Sequence, residues 1–243
     1  MTTRRLIRLE ITIVLLVTFG TSALQAILRL IEALAAGSLS AQPITLNSAW
    51  SDNPWLDPLF QVVRIASLLS WSALAWLLLA RDGVRDMPGR PRWSDPAWGA
   101  GLAAAIGVPG LGLYAAGVAL GFGRPIDPAA MGVSLATALP LIGHAAANAM
   151  AEELVVVGWI TLRLRSLGWV PAAIVAASAL LRGAYHLYQG PGAGVGNIVM
   201  GVIFAVWFLR TGRVWPLVAA HFLIDAVAFL GYPLAAPLLG KLV

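Results

Sequence analysis

Apolar residues come in long unbroken runs, and most polar residues sit at the ends of those runs. A bilayer crossing needs about 20 apolar residues. On that measure the pattern predicts helices near 7–36, 58–80, 97–121, 140–162, 170–188, 194–209 and 214–231. The stretch 128–139 is too short to cross and ends at Pro140. It reads as an interfacial or re-entrant piece, or as the start of a long kinked fourth helix. Seven crossings follow, with the short segment as an eighth element. The third run is rich in glycine and carries Pro109, which membrane helices tolerate. No repeat, coiled coil or low-complexity tract interrupts the series.

Composition sharpens this into an all-α, polytopic membrane protein forming one domain over 1–243. The 243 residues are 59% hydrophobic and only 11% charged, against about 25% charged in soluble domains. Cysteine is absent, which excludes disulfides and cysteine metal sites. The net charge of +5 does not imply nucleic acid, because most arginines lie at run ends. Arg4, Arg5, Arg8, Arg81, Arg85, Arg90, Arg92, Arg163, Arg165, Arg210 and Arg213 fall on alternate ends of the seven helices. The positive-inside rule then predicts an inner N-terminus and an outer C-terminus. The arginine-rich, alanine-rich composition suggests a bacterial cytoplasmic membrane. The first run begins like a signal peptide, but it continues almost to Gly37 and reads as a retained helix.

Six residues break the apolar pattern from inside the runs: Glu152, Glu153, Arg182, His186, His221 and Asp225. A charge near the centre of a membrane helix costs roughly 2.5–3.5 kcal/mol on insertion scales, so such groups pair or do chemistry. Counting the helical rise from the inner ends puts Glu152, Arg182, His221 and Asp225 about 10–18 Å deep and His186 about 24 Å deep. Residues four apart share a helix face. His144, Asn148 and Glu152 therefore form one stripe, Ser178, Arg182 and His186 a second, and His221 and Asp225 a third. Three such stripes are satisfied by facing one another. Glu152 and Glu153, about 100° apart on an α-helix, are expected to take different roles.

These residues carry a resemblance. Ala151-Glu152-Glu153-Leu154-Val155-Val156-Val157-Gly158 resembles the Glu-Glu-x-x-x-Arg motif of the CPBP family of intramembrane endopeptidases. That family includes the type II CAAX prenyl endopeptidases and the bacteriocin-processing and immunity proteins. Arg182-Gly183-Ala184-Tyr185-His186 resembles its second motif, Phe-x-x-x-His. His221-Phe222-Leu223-Ile224-Asp225 resembles its third, His-x-x-x-Asn or Asp. The motifs occur in order within a core spanning 131–231.

The resemblance implies an intramembrane protease acting on a peptide or membrane-anchored protein within the lipid bilayer. Glu152 with His186 would activate water, and His221 and Asp225 would steady the tetrahedral intermediate or hold a metal. Glu153 completes the catalytic set, with Arg182 and Asn148 in support. An ionised Asp225 cannot donate to an oxyanion, which favours a divalent ion such as Zn²⁺ at His186, His221 and Asp225. A metal-free glutamate mechanism is equally compatible with the motifs. Two positions depart from the family: Val157 replaces the motif-one Arg, and Arg182 replaces the motif-two Phe. Arg182 is expected to supply Glu153 with the partner lost at 157. The alternatives are a non-catalytic scaffold or immunity protein that keeps the fold, and a proton-coupled transporter, since mid-membrane carboxylates and histidines also build relays.

Overall fold

The structure, a computed structural model, describes residues 3–46, 48–84, 89–127 and 135–231. Among them every extended element is helical: α1 Thr3–Val17, α2 Phe19–Ala36, α3 Asp57–Arg81, α4 Asp95–Ala119, α5 Leu135–Glu152, α6 Ile160–Ser166, α7 Pro171–Tyr185, α8 Pro191–Thr211 and α9 Trp215–Ala226. Five stretches are long and apolar enough to cross a membrane: Phe19–Ala36, Asp57–Arg81, Asp95–Ala119, Ala138–Ser166 and Pro191–Thr211. Two shorter apolar helices, Pro171–Tyr185 and Trp215–Gly231, pack with them. The all-α membrane bundle read from the sequence is the architecture found.

The first predicted helix, 7–36, is in fact two. Thr18 leaves helical geometry at φ −128° and ψ −122°. Its hydroxyl donates to the Val14 carbonyl at 2.6 Å, a back-bond that bends helices. α1 then reaches α6 at one end of the bundle. There Glu10 receives Arg163 Nε at 2.6 Å and Trp159 Nε1 at 3.2 Å. Arg163, buried, also grips Asp82 at 2.8 Å and the Leu78 carbonyl at 2.9 Å. This network ties α1 and the end of α3 to the helix that carries the acids.

At the opposite end, three connections are stitched together. Ile44 and Ile126 form an isolated parallel bridge. Arg124 donates to the carbonyls of Gln42 and Tyr188 at 3.0 and 3.2 Å. Gly190, at φ +107°, has the Phe122 carbonyl only 2.7 Å from where a Cβ would sit, so a side chain there would clash.

The stretch beginning at 128 divides. Residues 128–134 lie outside the described residues, but Leu135–Leu139 already belong to α5, which passes through Pro140. The reading of a long fourth helix with proline inside it holds for that part. From Glu153 to Trp159 this helix changes to π geometry, and it resumes as α6. Close packing elsewhere rests on small residues. A Cβ at Gly99 would lie 2.5 Å from Ala219 Cβ, so α4 and α9 approach through glycine. Gly201 likewise lets α8 close on α7 beside Ala179 and Arg182.

Candidate active site

The three motifs lie on α5 with its π segment, on α7 and on α9. Arg182 sits at their centre, fully buried, with Nη2 2.6 Å from Glu153 Oε1 and Nη1 3.2 Å from Glu152 Oε2. The guanidinium carbon stands 5.4 Å from the centroid of the Phe204 ring. The partner expected for Glu153 is therefore present, and it holds Glu152 as well. The two acids, expected to take different roles, thus share one guanidinium through different nitrogens. The π segment begins at Glu153, and its i→i+5 bonding opens the helix where the second acid leaves it. Ser178, fully buried on α7, donates to the Val156 carbonyl of that segment at 2.6 Å. Val157, at the place of the family's arginine, is packed in the apolar core.

The two acids are not equivalent. Glu153 has no exposed side-chain surface, and its Oε1 is shared by Arg182 and by His221 Nδ1 at 2.7 Å. Glu152 keeps 10% of its side-chain surface, and its contacts with Arg182, Tyr185 and His221 all fall on Oε2. Tyr185 donates its hydroxyl to that oxygen at 2.6 Å. Sequence reasoning passed over Tyr185, which occupies a variable position of the second motif. Its signal was its place beside His186 and one turn from Arg182. Its ring centroid lies 4.7 Å from that of His186 and 4.9 Å from that of Phe19.

His186 closes α7, and its Nδ1 faces the Arg182 carbonyl at 3.1 Å. That contact assigns the proton to Nδ1 and leaves Nε2 as the acceptor. No hydrogen bond joins His186 to Glu152. His221 lies between acids, with Nδ1 on Glu153 and Nε2 3.6 Å from Asp225 Oδ1 and 4.0 Å from Glu152 Oε2. Asn148 Nδ2 reaches Asp225 Oδ2 at 3.5 Å. All seven residues singled out in the sequence thus belong to one connected neighbourhood.

The metal set expected at His186, His221 and Asp225 is not the cluster found. Among the described residues, the ligand atoms that lie within 4.8 Å of one another belong to Glu152, Glu153 and His221. His186 turns Nδ1 to the backbone instead. The found set suits a divalent ion poorly. Arg182 already brings a fixed positive charge to both carboxylates, and Glu153 Oε1 is taken twice. A metal there would share both carboxylates with a fully buried guanidinium.

A family model described as Type II CAAX prenyl endopeptidase Rce1-like matches residues 134–227. No curated protein and no solved structure matches the chain. The matched stretch contains all three motifs and ends just beyond Asp225. Residues 134–227 of this chain, which build the site, are thus similar to the Rce1-like type II CAAX prenyl endopeptidase family.

Proposed function

We propose that the protein hydrolyses a peptide bond of a membrane-associated peptide or protein, inside the bilayer, with Glu152 as general base and no metal. One observation carries the reading: each of the two adjacent acids keeps one oxygen clear of the ion-pair network, but only Glu152 keeps exposed side-chain surface, whereas Glu153 Oε2 is sealed in the interior. Tyr185 and Arg182 hold Oε2, so Oε1 faces the incoming water. Water bound between Oε1 and His186 Nε2 gives up a proton to Glu152 as its oxygen attacks the carbonyl carbon. Glu152 returns that proton to the leaving amine, and the C–N bond breaks. His221, held as an imidazolium between Glu153 and Asp225 with Nδ1–H on Glu153, donates its Nε2–H to the developing oxyanion. This removes the need for Asp225 to donate, which an ionised carboxylate cannot do. Arg182 then takes the structural place of the motif-one arginine. By family resemblance the substrate is held at the membrane; a prenylated C-terminus is the substrate of one branch of the family.

A second reading has its own observation. Arg182 lies 3.2 Å from Glu152 and competes with substrate water for that acid. A chain in which the pair never opens would keep the fold as a scaffold or immunity protein. Purified protein in detergent or nanodiscs, incubated with a library of apolar peptides, separates the two. Cleavage by the wild type and none by Glu152→Gln is expected. Intact peptides with the wild type, or equal cleavage by both, would reject the assignment.

A further inference from the structure

His144 is a buried titratable residue that the mechanism above leaves unused. It is 1% exposed, on α5 two helical turns before Glu152. Its Nε2 lies 2.5 Å from Gln61 Oε1, and Gln61, 6% exposed, belongs to α3. Gln61 Nε2 lies 3.4 Å from Asp57 Oδ2, and Asp57 opens α3, where Oδ1 accepts the backbone N–H groups of Trp50 and Ser51 at 2.6 and 3.2 Å. The chain of donors fixes the tautomer. An ionised Asp57 only accepts, so the Gln61 amide must donate to it and turn its carbonyl to His144. His144 Nε2 therefore carries the ring proton, and Nδ1 presents a lone pair. No described group donates to Nδ1, although the atom is buried.

A buried acceptor of this kind is nearly always satisfied by protein or by ordered water. Asn148, one turn further along the same face, directs Nδ2 toward Asp225. Its carboxamide keeps further hydrogen-bonding capacity one helical turn from His144. From Asp225 the contacts continue to His221 and Glu153. Polar groups therefore run from the start of α3 to the acids, with one break, between His144 and Asn148. A water needs two to four polar partners to be held in an interior. The break is flanked by two.

We propose that His144 Nδ1 and the Asn148 carboxamide share a bound water, and that this pair passes water from the α3 N-terminal end of the bundle to Glu152. The inference rests on the hydrolytic reading, since each turnover consumes one water inside an apolar bundle. It makes His144 and Gln61 positioning residues, acting through the water rather than on the substrate.

The chain holds three histidines, so ¹⁵N-histidine labelling gives a spectrum assignable by single substitutions. In nanodiscs, the His144 ring is expected to receive magnetisation from water. Asn148→Leu should abolish that transfer without unfolding the protein. On peptide cleavage, His144→Phe should lower kcat about tenfold at unchanged KM, the cost of one lost hydrogen bond. His144→Gln keeps a donor for Gln61 and an acceptor for the water, and should restore most turnover; a merely structural histidine would not be rescued at the level of kcat alone. A dry His144 ring in the wild type overturns the proposal. So does a His144→Phe protein that turns over like the wild type. The spectrum needs no substrate. A wild type that cleaves nothing would defeat the protease reading, and with it the supply role, while the water at His144 would still be decided.

Discussion

The helical rod that runs from α5 through the π segment to α6 and the two helices α3 and α4 are built from similar apolar residues, yet they meet different surroundings. Within their most apolar windows, 78% of the rod is buried against protein, compared with 17% of α3 and 11% of α4. Side chains such as Val63 and Val108 are two-thirds exposed, as groups facing lipid would be. Leu154–Trp159 are enclosed by α3, α7 and α8. Hydrophobic burial from water cannot distinguish these environments, because lipid is as apolar as leucine. What the rod has and α3 and α4 lack is a cluster of charges enclosed by protein along its length; α4 encloses only Asp95, in its first turn, paired with Arg213. Its position is set by an ion-pair network and by contact all round, whereas α3 and α4 pack along one face only, as α4 does on α9 through Gly99.

Breaking the enclosed charge should have the largest effect. Removing one partner of a buried ion pair costs roughly 3–5 kcal/mol. Arg182→Leu strands Glu152 and Glu153, and is expected to lower the thermal midpoint in detergent sharply and to remove cleavage. The double variant Arg182→Phe with Val157→Arg restores the family pattern. It should recover much of what Arg182→Phe alone loses, read by the same melt. A double variant as damaged as the single would mean that a cation at 157 cannot reach Glu153.

A smaller effect separates packing in the two regions. Val156→Ala in the rod should cost about 1–3 kcal/mol, as deletions in tight cores do. Val63→Ala on α3 should change the melt by no more than about 0.5 kcal/mol, the range for sites without such contacts. Equal losses at both positions would erase the distinction. The smallest effect concerns placement alone. Reporter fusions at Gly89, before α4, and at the C-terminus should report opposite sides of the membrane, as seven crossings require. Fusions at these sites should leave cleavage nearly unchanged.

The sequence was most legible where the polar pattern was rarest. Acids and histidines inside apolar runs marked the site, and their four-residue spacing gave the faces that meet. Helix positions followed from run length to within a few residues. Three features were not legible. Thr18 divides the first run through a back-bond, and Gly20 leaves room for the Leu15 carbonyl there, but one glycine in an apolar run does not announce a break. The π segment has an ordinary sequence, Glu-Leu-Val-Val-Val-Gly-Trp, and its geometry comes from tertiary contacts such as Ser178 on the Val156 carbonyl. Tyr185 and Gln61 gain meaning only from partners 33 and 83 residues away. The ligand set expected for a metal differs from the clustered one for a related reason. Depth placed the ligand types in one layer but could not show that Arg182 already sat between the carboxylates.

The most direct test compares the two acids side by side. Glu152→Gln and Glu153→Gln differ by one residue in position and by nothing in chemistry. Peptide cleavage and the thermal midpoint are measured for both in the same preparation. Glu152→Gln should abolish cleavage while melting close to the wild type. Glu153→Gln, which removes the negative charge that Arg182 and His221 share, should lower the midpoint and leave residual cleavage in the folded fraction. A Glu152→Gln protein that still cleaves, or a Glu153→Gln protein that is stable and inactive, would contradict this division of roles.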